Sequence, residues 1–336
     1  MSSKPAPTKT APSNRPFQTP TATPAISRMD RVRVRAAWMY YVEQMTQNDI
    51  AAKLNIGRVT VVRLLAEARA RGEVQISVSG PIAEITRLER ELEARFALDQ
   101  AIVAPLSDPS VDPTPAISAA IGSYLSEAVT SGATVGLGWG RTLLGSLPHI
   151  QSRGVDDLKV VSLLGGITQA HRFNPAEFVW RFAQIFQGDA YLLAAPAIVD
   201  SEDTKHALIE RCGLEPVIAM SAALDLLVFS VGDIDSASNT YRSGYIAEAE
   251  RRNLVAAGAV GDVLFHFFDD RGEFVDHPIN NLVIAAPLAN IKTAATRVLA
   301  SGGPNKIRAL LAVMRIVPPT VFITDEETAR AMLRAG

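Results

Sequence analysis

Thr46-Gln-Asn-Asp-Ile-Ala-Ala-Lys-Leu-Asn-Ile-Gly-Arg-Val-Thr-Val-Val-Arg-Leu-Leu-Ala-Glu-Ala-Arg-Ala-Arg71 is the stretch from which the organisation of this chain is read. Thr46 suits an N-cap, and Asp49 three positions later makes an imperfect capping box, so a helix is expected over 46–54. Asn55-Ile56-Gly57 breaks it, and a second helix runs over 58–71 until Gly72 stops it. Helices joined by so short a turn need a small residue in the first and a turn residue tolerant of left-handed dihedrals. They also need apolar plugs on the second. Gln47, Ala51, Asn55, Val61 and Leu64 meet this pattern in order, Asn being the next choice after Gly at the turn. Ile50, Leu54, Ile56 and Leu65 complete a small core.

Upstream, 29–44 reads as another helix, with Val34, Trp38 and Tyr41 or Val42 on one face. Downstream, 73–78 alternates polar and apolar residues, the period of a strand. Three helices and a strand outline a winged helix-turn-helix domain over 29–80. Its last helix would turn Arg58, Val59, Val62 and Arg63 outward. Arg can engage guanine O6 and N7 together, and Val can meet a thymine methyl. Gln47, Lys53 and Thr60 suit phosphate contacts. The alternative is a structural helical domain with a solvated polar face. Charge favours DNA: residues 1–71 carry 12 Lys and Arg against 4 Asp and Glu, a balance of +8, whereas the remainder carries 21 against 31, or −10. One end of the chain is built to meet a polyanion.

Residues 1–28 are rich in Pro, Ser, Thr and Ala with no acidic residue, the composition of a disordered tail. From Pro81, Ile85, Leu88, Leu92 and Phe96 recur at helical spacing, giving a linker helix over 81–98. It either pairs with its twin in a dimer or packs on its own body. Beyond it, candidate strands at 101–104, 134–138, 159–164, 190–194, 226–231, 263–267, 297–300 and 320–324 alternate with helical segments. Those segments fall at 115–130, 141–150, 175–187, 202–211, 244–257, 304–314 and 326–334. Such alternation predicts a doubly wound, mainly parallel α/β domain over 99–336.

A hydrophobic content of 48% and a charged content of 20% describe a soluble protein. No apolar run reaches the roughly 18 residues of a membrane span, and no signal-like segment follows the N-terminal Lys residues, so a cytoplasmic location is expected. Cys212 stands alone, cannot form an internal disulfide and reads as a buried thiol. His171, His206, His266 and His277 lack metal-ligand spacing, so neither metal nor cofactor is expected.

Two Gly-rich turns punctuate the body. Gly136 to Thr142, containing Gly138, Trp139, Gly140 and Arg141, reads as a strand ending in a turn that opens a helix, where bare N–H groups could cradle an anion. Leu164-Gly165-Gly166 follows the next candidate strand, and Lys306 follows Ser301-Gly302-Gly303 at another helix start. Ligands of open parallel sheets collect at such strand ends. Arg141, Thr142 and Lys306 would supply charge and a hydroxyl, with Arg242 a candidate for a second cationic contact. Trp139 is either a pocket wall or a core residue.

These segments together resemble the SorC family of sugar-responsive regulators. The resemblance is carried by 39–71, Gly136-Leu-Gly-Trp-Gly-Arg-Thr-Leu143, Gly258-Ala-Val-Gly-Asp-Val263 leading to Phe267-Phe-Asp269, Gly302-Gly-Pro-Asn-Lys306 and Ile323-Thr-Asp-Glu326, all in order. It implies a DNA-binding head and a body that binds a sugar, polyol or sugar phosphate. It also implies that Gly140, Thr142 and Lys306 approach a phosphate and Asp262 the sugar, in a homodimer or homotetramer on operator DNA. Gly57 and Val62 stand where the family often has Ser, and Phe229-Ser-Val-Gly-Asp233 replaces a Gly-rich turn. The body of this family resembles sugar-phosphate isomerases and deaminases, so the rival expectation is an enzyme with a DNA-binding head. Asp225 and Asp262 are available carboxylates, but no clear acid–base pair accompanies them.

Overall fold

A computed structural model of the chain describes residues 27–74, 82–166, 174–235 and 246–335, which fall into two compact units split between Val74 and Gln75. The first holds α1 (Arg28–Tyr41), α2 (Gln47–Leu54) and α3 (Arg58–Ala70). Ser27 and Asp30 cap α1 reciprocally. The Thr46 oxygen accepts from the Asp49 N–H at 3.3 Å, while its hydroxyl donates to the Asp49 carboxylate at 2.6 Å. Asn55 takes the left-handed conformation at φ 53°, ψ 48°, turning the chain into α3. Ala36, Ala37, Ile50, Val61, Leu64 and Leu65 lead the core, and fully burying each larger side chain stabilises by roughly 1.5–3 kcal/mol.

The expected face of the first helix is corrected. Val34, Trp38 and Val42 are 49%, 57% and 55% exposed, and the helix buries Arg33, Ala36, Ala37 and Met39 instead, while Tyr41, the alternative to Val42, is half-buried against the core. Two alanines let α1 approach α3 closely. Arg33 tolerates burial because its guanidinium reaches Glu73 at 2.7 Å, Asp30 at 2.7 Å and Glu67 at 3.4 Å. Past Val74 the expected strand over 73–78 lies outside the described residues, as does the tail up to residue 26.

The second unit opens with α4 (Ile82–Phe96), β1 (Gln100–Ala104), α5 (Thr114–Ala128), β2 (Thr134–Leu137), α6 (Arg141–Gly145), β3 (Lys159–Ser162), α7 (Pro175–Phe186) and β4 (Asp189–Tyr191). It continues with α8 (Glu202–Arg211), α9 (Glu215–Met220), β5 (Leu226–Phe229), β6 (Gly232–Asp233), α10 (Glu248–Ala256), β7 (Gly261–Val263) and β8 (His266–Phe268). Then come α11 (Ile279–Leu282), α12 (Leu288–Ile291), β9 (Thr296–Ala300), α13 (Ile307–Ile316), β10 (Val321–Asp325) and α14 (Glu326–Ala335).

Seven strands form a parallel sheet in the order β1-β10-β9-β5-β2-β3-β4. Successive strand residues face opposite ways, so Val228 and Ile323 enter one hydrophobic core while Phe229 and Phe322 enter the other. This makes the body doubly wound. From β2 the chain steps outward through β3 and β4, then resumes at β5 on the other side of β2 and steps outward through β9 and β10. The reversal opens a crevice at the carboxyl ends of β2 and β5, where doubly wound sheets take ligands.

Helix α4 packs on its own body, with Leu88 and Leu92 in the main core. Its Glu93 and Glu89 carboxylates accept the backbone N–H groups of Ala101 and Val103 at 3.0 Å each, satisfying donors along edge strand β1. The strand expected over 263–267 is corrected to a hairpin. β7 and β8 pair antiparallel, with β6 on the outer side of β7. Leu264 and Phe265 make the turn at φ 49° and 61°. Apolar residues are unusual there, since such turns favour Asn and Gly, but both are buried. Cys212 is also corrected: it is exposed at the end of α8. Among the described residues no helix is long and apolar enough to cross a membrane.

Candidate functional site

The crevice is lined by 139–142 after β2, 230–233 after β5 and 302–306 after β9, together with 112–114 at the start of α5 and Asp262. Its volume is about 220 Å³, below the roughly 300–1,000 Å³ typical of drug-sized ligands. A small metabolite suits it.

Gly140 lies at φ 146° and Gly303 at φ 106°, conformations L side chains rarely adopt. They bring bare backbone to the cleft on two sides. A Cβ on Gly302 would come within 2.2 Å of Asp325 Oδ2, so the second turn admits only glycine. It is held by the Gly303 N–H donating to Thr328 Oγ at 2.8 Å and by the Thr328 hydroxyl donating to Asp325 at 2.6 Å. Thr142 is buried, and its carbonyl accepts from Ser118 Oγ at 2.9 Å. Trp139 both belongs to the core and walls the cleft, stacked on Phe265, so the two readings of it hold together. Asp262 is buried, and its Oδ2 accepts the Phe265 N–H at 3.1 Å.

Lys306 is half-buried, with Nζ 3.4 Å from Ser301 Oγ. Burial pushes its ammonium below the ordinary lysine range, an effect Asp233 and Asp262 oppose. Burial raises the Asp233 carboxyl, and Lys306 partly offsets that. At Asp112 burial acts in the same upward sense. Hydrogen bonds from Thr114 and the charges of Arg141 and Lys306 outweigh it and hold this carboxyl low. Arg141 stands exposed at the rim. The cleft thus presents an aromatic wall, two cations and three carboxylates. The helix expected over 141–150 is corrected to a five-residue turn, α6, followed by a 3-10 turn. A helix dipole therefore adds little, and among the described residues positive charge in the cleft rests on Arg141 and Lys306.

The structure brings Trp139, Gly140, Arg141, Thr142, Asp262 and Lys306 to one cleft. Gly138 does not line it: its N–H donates to the Val228 carbonyl at 2.8 Å, and a Cβ would meet Phe229 at 3.3 Å. Gly165 and Gly166 lie off the end of β3, where Gly165 passes so close to Ala195 that a Cβ would sit 2.7 Å from its carbonyl oxygen. Arg242 lies outside the described residues. Asp112, Ser230, Asp233 and Asn305 also line the cleft, and sequence reasoning does not single them out as site residues. The segment Phe229-Ser-Val-Gly-Asp233 carries the signal for two of them. Among the described residues no three His, Cys, Asp or Glu are grouped to hold a metal.

In the first unit Arg58, Val59, Val62 and Arg63 project from the start of α3, Val59 being 83% exposed. Gly57 begins α3 without a side-chain cap, leaving its first N–H groups bare. Gln47 and Arg58 line one groove with Tyr40 and Asn48, Lys53 lines another, and Thr60 is half-buried.

Residues 80–334 match a family model described as "Putative sugar-binding domain". The erythritol catabolism regulatory protein EryD of Brucella abortus is 31% identical over 306 residues, covering 90% of this chain and 96% of that protein. The deoxyribonucleoside regulator of Bacillus subtilis is 32% identical over 312 residues, covering 91% and 99%. The fold matches the full-length sorbitol operon regulator SorC of Klebsiella pneumoniae with a TM-score of 0.71, at 23% identity over 90% of this chain and 98% of that one. These relatives are regulators rather than enzymes. By its family match, its fold and its helix-turn-helix unit, the chain belongs to the SorC family of sugar-binding transcriptional regulators.

Proposed function

We propose that α2 and α3 bind operator DNA while the crevice at the β2/β5 switch point binds a small polyhydroxylated effector, a sugar, a polyol or its phosphate. The observation that carries this reading is the composition of the crevice. Trp139 offers an apolar face to carbon-bound hydrogens, Asp112, Asp233 and Asp262 accept hydroxyl protons, and Arg141 and Lys306 receive an oxygen or an anionic end. The names of EryD and the deoxyribonucleoside regulator point to carbohydrate-derived metabolites. Arg58 and Arg63 read guanines, Val59 and Val62 meet thymine methyls, and Gln47, Lys53 and Thr60 hold phosphates. The protein acts as a homodimer or homotetramer, so half-sites lie about one helical turn, or a multiple of it, apart. The effector shifts DNA affinity by binding one arrangement of protomers better than the other.

Selection of fragments from a random duplex library by the full-length protein tests the DNA half. Enrichment of a two-fold symmetric sequence is expected, and its release by one member of a sugar, polyol and sugar-phosphate panel. No enriched sequence, or none of the panel altering retention, contradicts the reading.

A further inference from the structure

Two arginines of the first unit are accounted for by its acids. Arg33 is 2% exposed and pairs with Asp30, Glu67 and Glu73, while Arg71 shares Asp30 and Glu67. Arg28, Arg31 and Arg35 are different. They are exposed, recur at three- and four-residue spacing on one face of α1, and make no ion pair among the described residues. With Val32, Lys53 and Leu54 they line a groove between α1 and the end of α2. No residue of it is shared with the groove holding Gln47 and Arg58.

We propose that this arginine stripe is a second DNA surface, gripping backbone phosphates beside the bases met by α3. It rests on the reading of α2 and α3 as the DNA-binding pair and extends the contact to a helix outside that motif. From Arg28 to Arg35 the stripe runs about 10 Å along the helix axis. The duplex carries one phosphate charge per ~1.7 Å of its axis, so three guanidiniums spread over that length can each meet a phosphate. Guanidinium forks suit phosphate oxygens. The groove floor, Val32 and Leu54, offers no side-chain hydrogen-bonding group to a base edge, and the arginines grip backbone, so the contact positions rather than specifies. Asp30, Glu67 and Glu73 are already engaged by Arg33 and Arg71. Residues 1–26, which lead into Arg28, add Lys4, Lys9 and Arg15 and no acid. The rival occupant is the acidic remainder of the same chain, which carries −10.

The test is the salt dependence of binding to a labelled random-sequence duplex by the full-length protein. The triple variant Arg28→Gln, Arg31→Gln, Arg35→Gln should flatten the log–log slope by about 2.7, close to 0.9 for each phosphate no longer neutralised. Single Gln variants should each flatten it by about 0.9, and the triple Arg→Lys variant should keep the wild-type slope. Thermal unfolding checks that each variant is folded, and the single variants serve if the triple one is not. A wild-type slope in folded Gln variants overturns the proposal. So does tighter DNA binding on removal of the arginines, because it would mean that the stripe clasps the acidic body. Wild-type protein that fails to bind duplex DNA removes the underlying reading, and the proposal with it.

Discussion

Phe265 lies nearly face to face with Trp139, their ring centroids 4.8 Å apart and their planes 29° from parallel. The aromatic wall of the crevice is therefore backed by a left-handed turn, and Asp262 fixes that turn through the Phe265 N–H. In the family resemblance Asp262 is a ligand residue; in the structure it also has a positioning role, and the two can be separated. Asp262→Ala removes a buried acceptor and should lower stability by about 1–3 kcal/mol. It should also shift the emission of Trp139, followed with Trp38 and Trp180 both changed to Phe. Asp262→Asn retains an acceptor and should keep both properties. An unchanged emission in Asp262→Ala would contradict the positioning role.

At Lys306 a solvation cost sits beside the proposed binding role. Because burial disfavours the ammonium, Lys306→Met should leave the ligand-free protein as stable or more stable. The same variant should lose the stabilisation given by the effector. The sign of the linkage agrees. The native pKa lies below that of the unfolded chain, so this group penalises folding at low pH, and the penalty fades as pH rises through the lowered native value toward the ordinary one. A Lys306→Met protein with full effector response would remove Lys306 from the effector site.

Arg63→Ala should cost roughly 1–3 kcal/mol on the cognate operator, read by anisotropy titration. It should leave the thermal unfolding and effector response of the second unit intact. A loss of both binding functions would point to misfolding.

His266 should govern part of the acid sensitivity of the body. Burial and the charge of Lys205 push it down to about 4, and its Nδ1 is buried without a hydrogen-bond partner among the described residues. Its native pKa is below the unfolded value, so the unfolded chain binds the extra proton between the two. Stability then falls as pH drops from about 6.5 to about 4, by about 3 kcal/mol. Urea unfolding at both ends of this window should show a correspondingly smaller loss in His266→Phe. Equal losses in wild type and variant would exclude it.

What can be read in the sequence follows from which interactions are local. Thr46, Asn55 and the spacing of Val61 and Leu64 are short-range signals, and the helix-turn-helix unit forms where they place it. The parallel strands are legible because each is a compact apolar run between helices. The face of α1 is not, because apolar spacing favours Val34 and Trp38, whereas the core selects two alanines and an arginine whose acidic partners lie up to forty residues away. The hairpin at Leu264 and Phe265 is hidden because it lacks turn residues and depends on burial and Asp262. Gly138, Gly140 and Gly165 look alike in sequence, yet only Gly140 lines the crevice. Strand order decides that, and it is a long-range property.

The most direct test of the account is thermal unfolding of the full-length protein against sugars, polyols and their phosphates. One ligand should raise apparent stability, by about 2.7 kcal/mol at a hundred times its Kd. Lys306→Met should erase that shift, while Lys205→Met, outside the crevice, should preserve it. A shift that survives Lys306→Met, or the absence of any shift across the panel, would contradict the assignment of the β2/β5 crevice as the effector site.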